Sequence, residues 1–127
     1  MSSFNDHKKV LRGLLAAHFP SVYYQLCPPD AGFPRAEFEL RQLSVDDIPY
    51  EKYILTLNCY DKKQNETMDD LIDAFIRSAD KSIRYTENHY YQIYYQNDRQ
   101  PTIADVDKSL KRIMLTFEVR VYLRSEI

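Results

Sequence analysis

The stretch "RIMLTFEVRVYLR" (112–124) sets Ile113, Leu115, Phe117, Val119, Val121 and Leu123 in strict alternation with Met114, Thr116, Glu118, Arg120, Tyr122 and Arg124. A period of two places the first set on one side of an extended strand and the second on the other, whereas a helix would scatter both around its axis. The chain must therefore build a sheet with one covered and one polar face.

Two segments have the pattern needed to cover it. Met68, Leu71, Ile72, Phe75, Ile76, Ala79 and Ile83 follow one helical stripe, with Thr67 and Asp70 suited to an N-cap and its third helical position. Asp69, Asp70 and Asp73 add negative charge near the positive end of that helix dipole. Leu11, Leu14, Leu15 and His18, preceded by Phe4 and His7, predict an earlier helix over 4–18, with Ser3 as its cap and Pro20 just beyond it.

Three further strands precede the second helix: "SVYYQL" (21–26), "PRAEFELRQL" (34–43) and "YILTLNCYD" (53–61). In the second, Ala36, Phe38 and Leu40 alternate with charges; in the third, Leu55, Leu57 and Cys59 face away from Ile54, Thr56 and Asn58. "HYYQIYYQ" (89–96) supplies another strand, and "QNDRQPTIADVDKS" reads as a polar connection. The expected order is α-β-β-β-α-β-β, an α+β fold with both helices on one face of a mostly antiparallel sheet.

At 127 residues and 44% hydrophobic content the chain is expected to form one domain, 1–127, with a core that needs no metal or disulfide. No internal repeat or low-complexity linker divides it. Its net charge of -2 supplies no general positive field for nucleic acid or anionic lipid. Cys27 and Cys59 lack zinc or redox spacing, and "MSSFNDHKK" lacks the apolar core of a signal peptide, which predicts synthesis in a reducing cytoplasm. No stretch approaches the ~20 apolar residues that cross a bilayer, so no membrane partner is expected.

Catalytic and metal chemistry finds little support. His7 and His18 are ~16 Å apart along a helix axis, too far to share an ion, and His18 suits a helix end. Gly13 and Gly32 form no phosphate-binding loop, Cys59 faces the core, and no serine stands in an elbow-like context. The pairs Asp46–Asp47, Asp69–Asp70 and Asp105/Asp107 each have a simpler role in a turn, a helix start or a solvated loop. The expectation is no enzyme, no metal and no cofactor.

The tyrosines are the informative excess. Tyr91, Ile93 and Tyr95 share one face of their strand and can serve the core with hydroxyls toward the rim; Tyr90, Gln92 and Tyr94 share the other. That second face suits a protein interface, in which tyrosine is enriched, or a platform for stacking bases, although stacking sheets also interleave Arg and Lys. A plain core strand is the third reading.

The segment "YILTLNCYDKKQNETMDDLIDAFIRSADKSI" (53–83), a strand ending in an aromatic-Asp-Lys turn before a polar loop and an amphipathic helix, resembles the tail terminator (tail completion) proteins of long-tailed bacteriophages. "DVDKSLKRIMLTFEVRVYL" (105–123), with Arg112 ahead of its alternation, is similar to their last strand, and the N-terminal helix and "FPRAEFEL" also fit. Tyr60 departs from the tryptophan that many relatives carry there.

The resemblance implies a structural subunit in a ring, commonly a hexamer, on the head-proximal end of the tail tube. The ring stops tube polymerisation and offers the surface on which the head docks. Implied partners are further copies of the chain, the tail tube protein and a head–tail connector protein, with DNA only as passing cargo. The implied location is the virion tail, after assembly in the host bacterial cytoplasm.

A ring needs two different, mutually complementary patches on each subunit. Tyr90, Tyr94, Thr116, Glu118, Arg120 and Tyr122 are the candidate subunit interface. Asp61, Lys62, Lys63 and Asn65, with Asn97, Asp98 and Arg99 and on to Thr102, are candidate tube- or connector-facing loops. The alternatives are a head-closure or neck connector subunit and, from another class, a sheet-based single-stranded nucleic-acid-binding module.

Overall fold

The computed structural model describes residues 3–26, 28, 32–43, 49–62, 66–103 and 110–124. In chain order they form α1 (Ser3–Ala16), β1 (Val22–Tyr24), β2 (Arg35–Leu43), β3 (Glu51–Lys62), α2 (Thr67–Ala79), β4 (Ser82–Tyr85), β5 (His89–Tyr95), β6 (Gln100–Ile103) and β7 (Leu110–Leu123). The fold is α+β, with two helices and a mostly antiparallel sheet of seven strands in place of the five expected.

The strand with the clearest alternation holds the sheet together. The order is β1-β2-β3-β7-β5-β4, with β6 also paired to β7. β7 runs antiparallel to β3 on one side and to β5 and β6 on the other; the β1–β2 pairing alone is parallel. Register carries the sequence parity across the sheet, since Leu115 faces Leu57 and Phe117 faces Leu55, while Thr116 faces Thr56.

Ile113, Leu115, Phe117, Val119 and Val121 are buried with Tyr53, Leu55, Leu57 and Cys59 of β3 and Tyr91 and Ile93 of β5. Leu11 and Leu15 of α1 and Met68, Ile72, Phe75 and Ala79 of α2 complete this core from one side. Leu123, expected as the last core residue, is exposed because it lies opposite His89 at the end of the β5–β7 ladder, past the helical cover.

Helix boundaries shift by a residue or two. Ser3 is the first residue of α1 and not its cap, and the helix stops at Ala16. A turn follows, in which His18 lays its ring against Phe75 at 5.6 Å. Likewise Thr67 lies inside α2, and Glu66 occupies the N-cap without a side-chain capping bond.

The helical stripe of α2 also ends earlier than its periodicity. Asp80 closes the helix and accepts the Tyr95 N–H at 2.8 Å, and Lys81, at φ 60°, donates its own N–H to the Ile93 carbonyl at 2.7 Å. That reversal turns Ser82–Tyr85 into β4, so Ile83 stands opposite Gln92 on the far face of the sheet. Part of the expected polar connection is likewise a strand, β6, in which Pro101 sits opposite Ile113. Proline is tolerated there because β6 pairs on one side only.

Among the described residues no helix is long and apolar enough to cross a membrane.

Candidate protein-interaction face

The face of the sheet away from both helices gathers all six residues expected at an interface. Tyr90 stands opposite Tyr122, Gln92 opposite Arg120 and Tyr94 opposite Glu118. Thr116 continues the same row of β7 and stands opposite Thr56.

Tyrosine side chains form a row across one end of this face. The Tyr90 and Tyr122 rings are parallel within 3° with centroids 4.4 Å apart; Tyr85 lies 5.8 Å beyond Tyr90, and Tyr50 lies 5.0 Å beyond Tyr122. The row follows from parity, because cross-strand partners share a face and their side chains touch. At the β4 end it is left open, with Tyr85 63% and Ile83 47% exposed.

Next to the row, hydrogen bonds fix the polar groups. Gln92 Oε1 accepts from the hydroxyls of Tyr94 at 3.1 Å and Tyr122 at 3.2 Å. Arg120 donates from Nε to Glu118 at 2.5 Å, and Lys52 Nζ approaches the other oxygen of that carboxylate at 3.3 Å. The Arg120 guanidinium also covers the rings of Tyr94 at 4.8 Å and Tyr50 at 5.1 Å.

These contacts settle the charges. Burial alone would raise the Glu118 carboxyl, but the hydrogen bonds from Arg120 and Lys52 outweigh it and hold the group below the usual carboxylate range. Arg120 is raised, chiefly by the Glu118 hydrogen bond, and burial raises the Tyr122 hydroxyl. The face therefore presents aromatic rings around a fixed ionic pair, a chemistry common in protein contacts.

Tyr50, Tyr85, Gln92 and Lys52 complete the face. Tyr50 continues the even parity of Lys52 and Ile54, a signal hidden by reading "DDIPYEKY" as a turn. Tyr85 was masked because the helical stripe runs on to Ile83.

The loop candidates fall differently. Asp61 and Lys62 are the last residues of β3, not of a loop, since the strand continues past the aromatic-Asp pair; Asp61 is buried and Lys62 exposed. Lys63 and Asn65 lie outside the described residues. Asn97, at φ 56°, and Asp98 are exposed in the β5–β6 connection. Asp98 accepts the Thr116 N–H at 2.9 Å and also the Thr116 hydroxyl. Arg99 reaches over to α2 and bonds Asp73 and Asp69, each at 2.5 Å.

A second polar cluster lies under α1. His7 is buried, and its Nδ1 is 2.7 Å from the Tyr91 hydroxyl, which therefore points inward and not to the rim. His89, not His18, is its histidine neighbour, with ring centroids 5.0 Å apart. Among the described residues no group of three or more His, Cys, Asp or Glu could hold a metal ion. Burial raises the Cys59 thiol, which keeps it protonated and unreactive.

A protein in the virion of a native gene transfer agent particle shares this fold. The two chains superpose with a TM-score of 0.59 over 88% of this chain and 84% of that one, at 13% sequence identity. No protein-family model and no curated protein matches the sequence. At this identity the likeness is one of architecture, and it extends over most of both chains.

Proposed function

We propose that this chain is a structural, non-enzymatic subunit of a phage-like particle, and within it a tail terminator: a ring subunit that caps the head-proximal end of the tail tube. The observation that carries the reading is the fold shared with a virion protein over 88% of this chain. The sequence segments 53–83 and 105–123 resemble the terminator family and point the same way.

In this reading the tyrosine and Arg120–Glu118 face is one of the two complementary patches that close the ring. Its side chains are held in place by one another before any partner arrives, so little ordering entropy is lost on contact. Asn97 and Asp98 on the β5–β6 connection, with Lys62 at the end of β3, face the tube protein or the connector. One ring face then copies the tube's own contact while the other refuses more tube subunits, and DNA passes through without being held. The ring is assembled in the host bacterial cytoplasm and stays at the head-proximal end of the tail.

A base-stacking module is less favoured, because the facing surfaces of Tyr90 and Tyr122 already cover each other and Arg120 covers Tyr94. A head-closure or neck connector subunit is the nearer alternative, since the shared fold belongs to a virion as a whole.

Disrupting the reading frame in its parent phage or prophage and viewing the particles by negative-stain electron microscopy separates these outcomes. Overlong, unjoined tails beside DNA-filled heads are expected. Tails of normal length that fail to join heads would move the assignment to a connector, and normal infectious particles would overturn the virion reading.

A further inference from the structure

α1 is fastened to the sheet through a titratable side chain that the assembly role leaves unused. His7 is fully buried and meets Tyr53, His89 and Tyr91 edge-on, with ring centroids at 5.3, 5.0 and 5.4 Å. Its Nδ1 is paired with the Tyr91 hydroxyl, while its Nε2 has no hydrogen-bond partner and lies 3.8 Å from Glu51.

This arrangement suits a neutral ring. The Tyr91 hydroxyl is pushed up to about 12 by burial, remains protonated and can donate to an unprotonated Nδ1. A second proton would make both ring nitrogens donors, so the Tyr91 hydroxyl would have to turn from donating to accepting, and the charge would sit in a buried site whose facing carboxylate, Glu51, stands 3.8 Å away, beyond hydrogen-bond distance.

We infer that His7 is a proton-sensitive latch, and that protonation of its ring releases α1 from the sheet while the β3–β7–β5 strands stay paired. The groups facing it are Asp6 on α1, Glu51 and Tyr53 on β3, and His89 and Tyr91 on β5. Burial and His89 disfavour the proton and outweigh Glu51 and Asp6, so the ring lies below its ordinary 6.5. Glu51 compensates weakly because its side chain is 50% exposed and also accepts the Tyr53 hydroxyl.

The proton has a route and a local target. A cleft of about 230 Å³ between α1 and the β4–β5 turn, lined by Asp6, Val10, Glu87, His89 and Tyr91, brings solvent to the edge of the cluster. The other buried polar residue of this kind among the described residues, Asp61, lies at the opposite end of β3.

The sign follows from linkage. With its pKa depressed in the docked state and restored on release, His7 leaves docking at full strength above 6.5 and weakens it as pH falls from 6.5 through the docked value. The docking constant falls by as much as about tenfold for each pH unit of depression. This inference is independent of the virion reading.

The test is amide hydrogen exchange on the whole chain from pH 7.5 to 5, corrected for intrinsic exchange rates, comparing α1 with β7. α1 should lose protection severalfold toward pH 5 while β7 keeps its own. His7→Gln, which retains a partner for Tyr91 without a titrating ring, should remove the pH dependence, and His18→Gln should leave it intact. An NMR titration of the unaltered protein must place His7 below 6.5, and it decides the matter if His7→Gln does not fold. Protection of α1 that tracks β7 at every pH, or a His7 titrating at or above 6.5, overturns the latch.

Discussion

The two faces of β7 share one backbone and obey different physics. On the helix side, Ile113, Leu115, Phe117, Val119 and Val121 belong to a buried apolar core to which six other elements of the fold contribute. On the other side, Thr116 is bonded by Asp98, Glu118 by Arg120 and Lys52, and Tyr122 by Gln92 and a stacked Tyr90. Burial is non-directional and scales with area, so the first face fixes stability. The second consists of oriented contacts of small net worth, which makes it a surface with a defined shape and charge pattern. A neighbouring protein can read such a surface without the fold depending on it.

The sharpest way to break this contrast is Phe117→Ala. Phe117 packs on Phe75 at 5.3 Å and Tyr95 at 5.2 Å, and truncation should cost about 3–5 kcal/mol in urea unfolding. A loss below about 1 kcal/mol would show that the covered side does not dominate stability. A smaller effect is expected across the ladder: a double-mutant cycle of Tyr90→Ala and Tyr122→Ala should give a coupling of about 0.5–1.5 kcal/mol. Zero coupling would mean that the two rings stand together without supporting each other.

The smallest effect belongs to Glu118→Gln and depends on pH. Because the Glu118 carboxyl is held below its ordinary 4.5 in the fold, its contribution is full above that value and is lost as pH falls through the folded pKa. Glu118→Gln should therefore be slightly destabilised near neutrality and indistinguishable from the parent in strong acid. A gap between the two proteins that widens toward acid would contradict the assigned pairing.

What could be read from the sequence, and what could not, divides along the same lines. Parity is a local property, so the alternation in 113–123 groups Thr116, Glu118, Arg120 and Tyr122 on one side of their strand, and that in 89–96 groups Tyr90 with Tyr94; the β5–β7 pairing joins the two sets on one face. Ile83 shows the limit: its spacing from Ala79 fits a helix, yet the reversal at Asp80 and Lys81 depends on bonds to Tyr95 and Ile93, residues far along the chain. β6 was obscured by Pro101 and its polar flanks, and it exists because β7 offers it an edge. Asp61 resembled a turn residue until the pairing with β7 carried β3 beyond it. The meeting of His7 with His89 had no local signal at all, because folding alone brings those two segments together.

The central position of β7 also bears on how the molecule forms. It follows all of its sheet neighbours in chain order, and β3, β5 and β6 each lay one edge against it. During synthesis the edges of β3 and β5 that pair with β7 must wait, unpaired, until β7 emerges. Non-local pairing of this kind is slow to nucleate and leaves strand edges free to join other chains. For a protein read as an assembly subunit, the interval before β7 docks is when a nascent chain is most able to pair with the wrong neighbour.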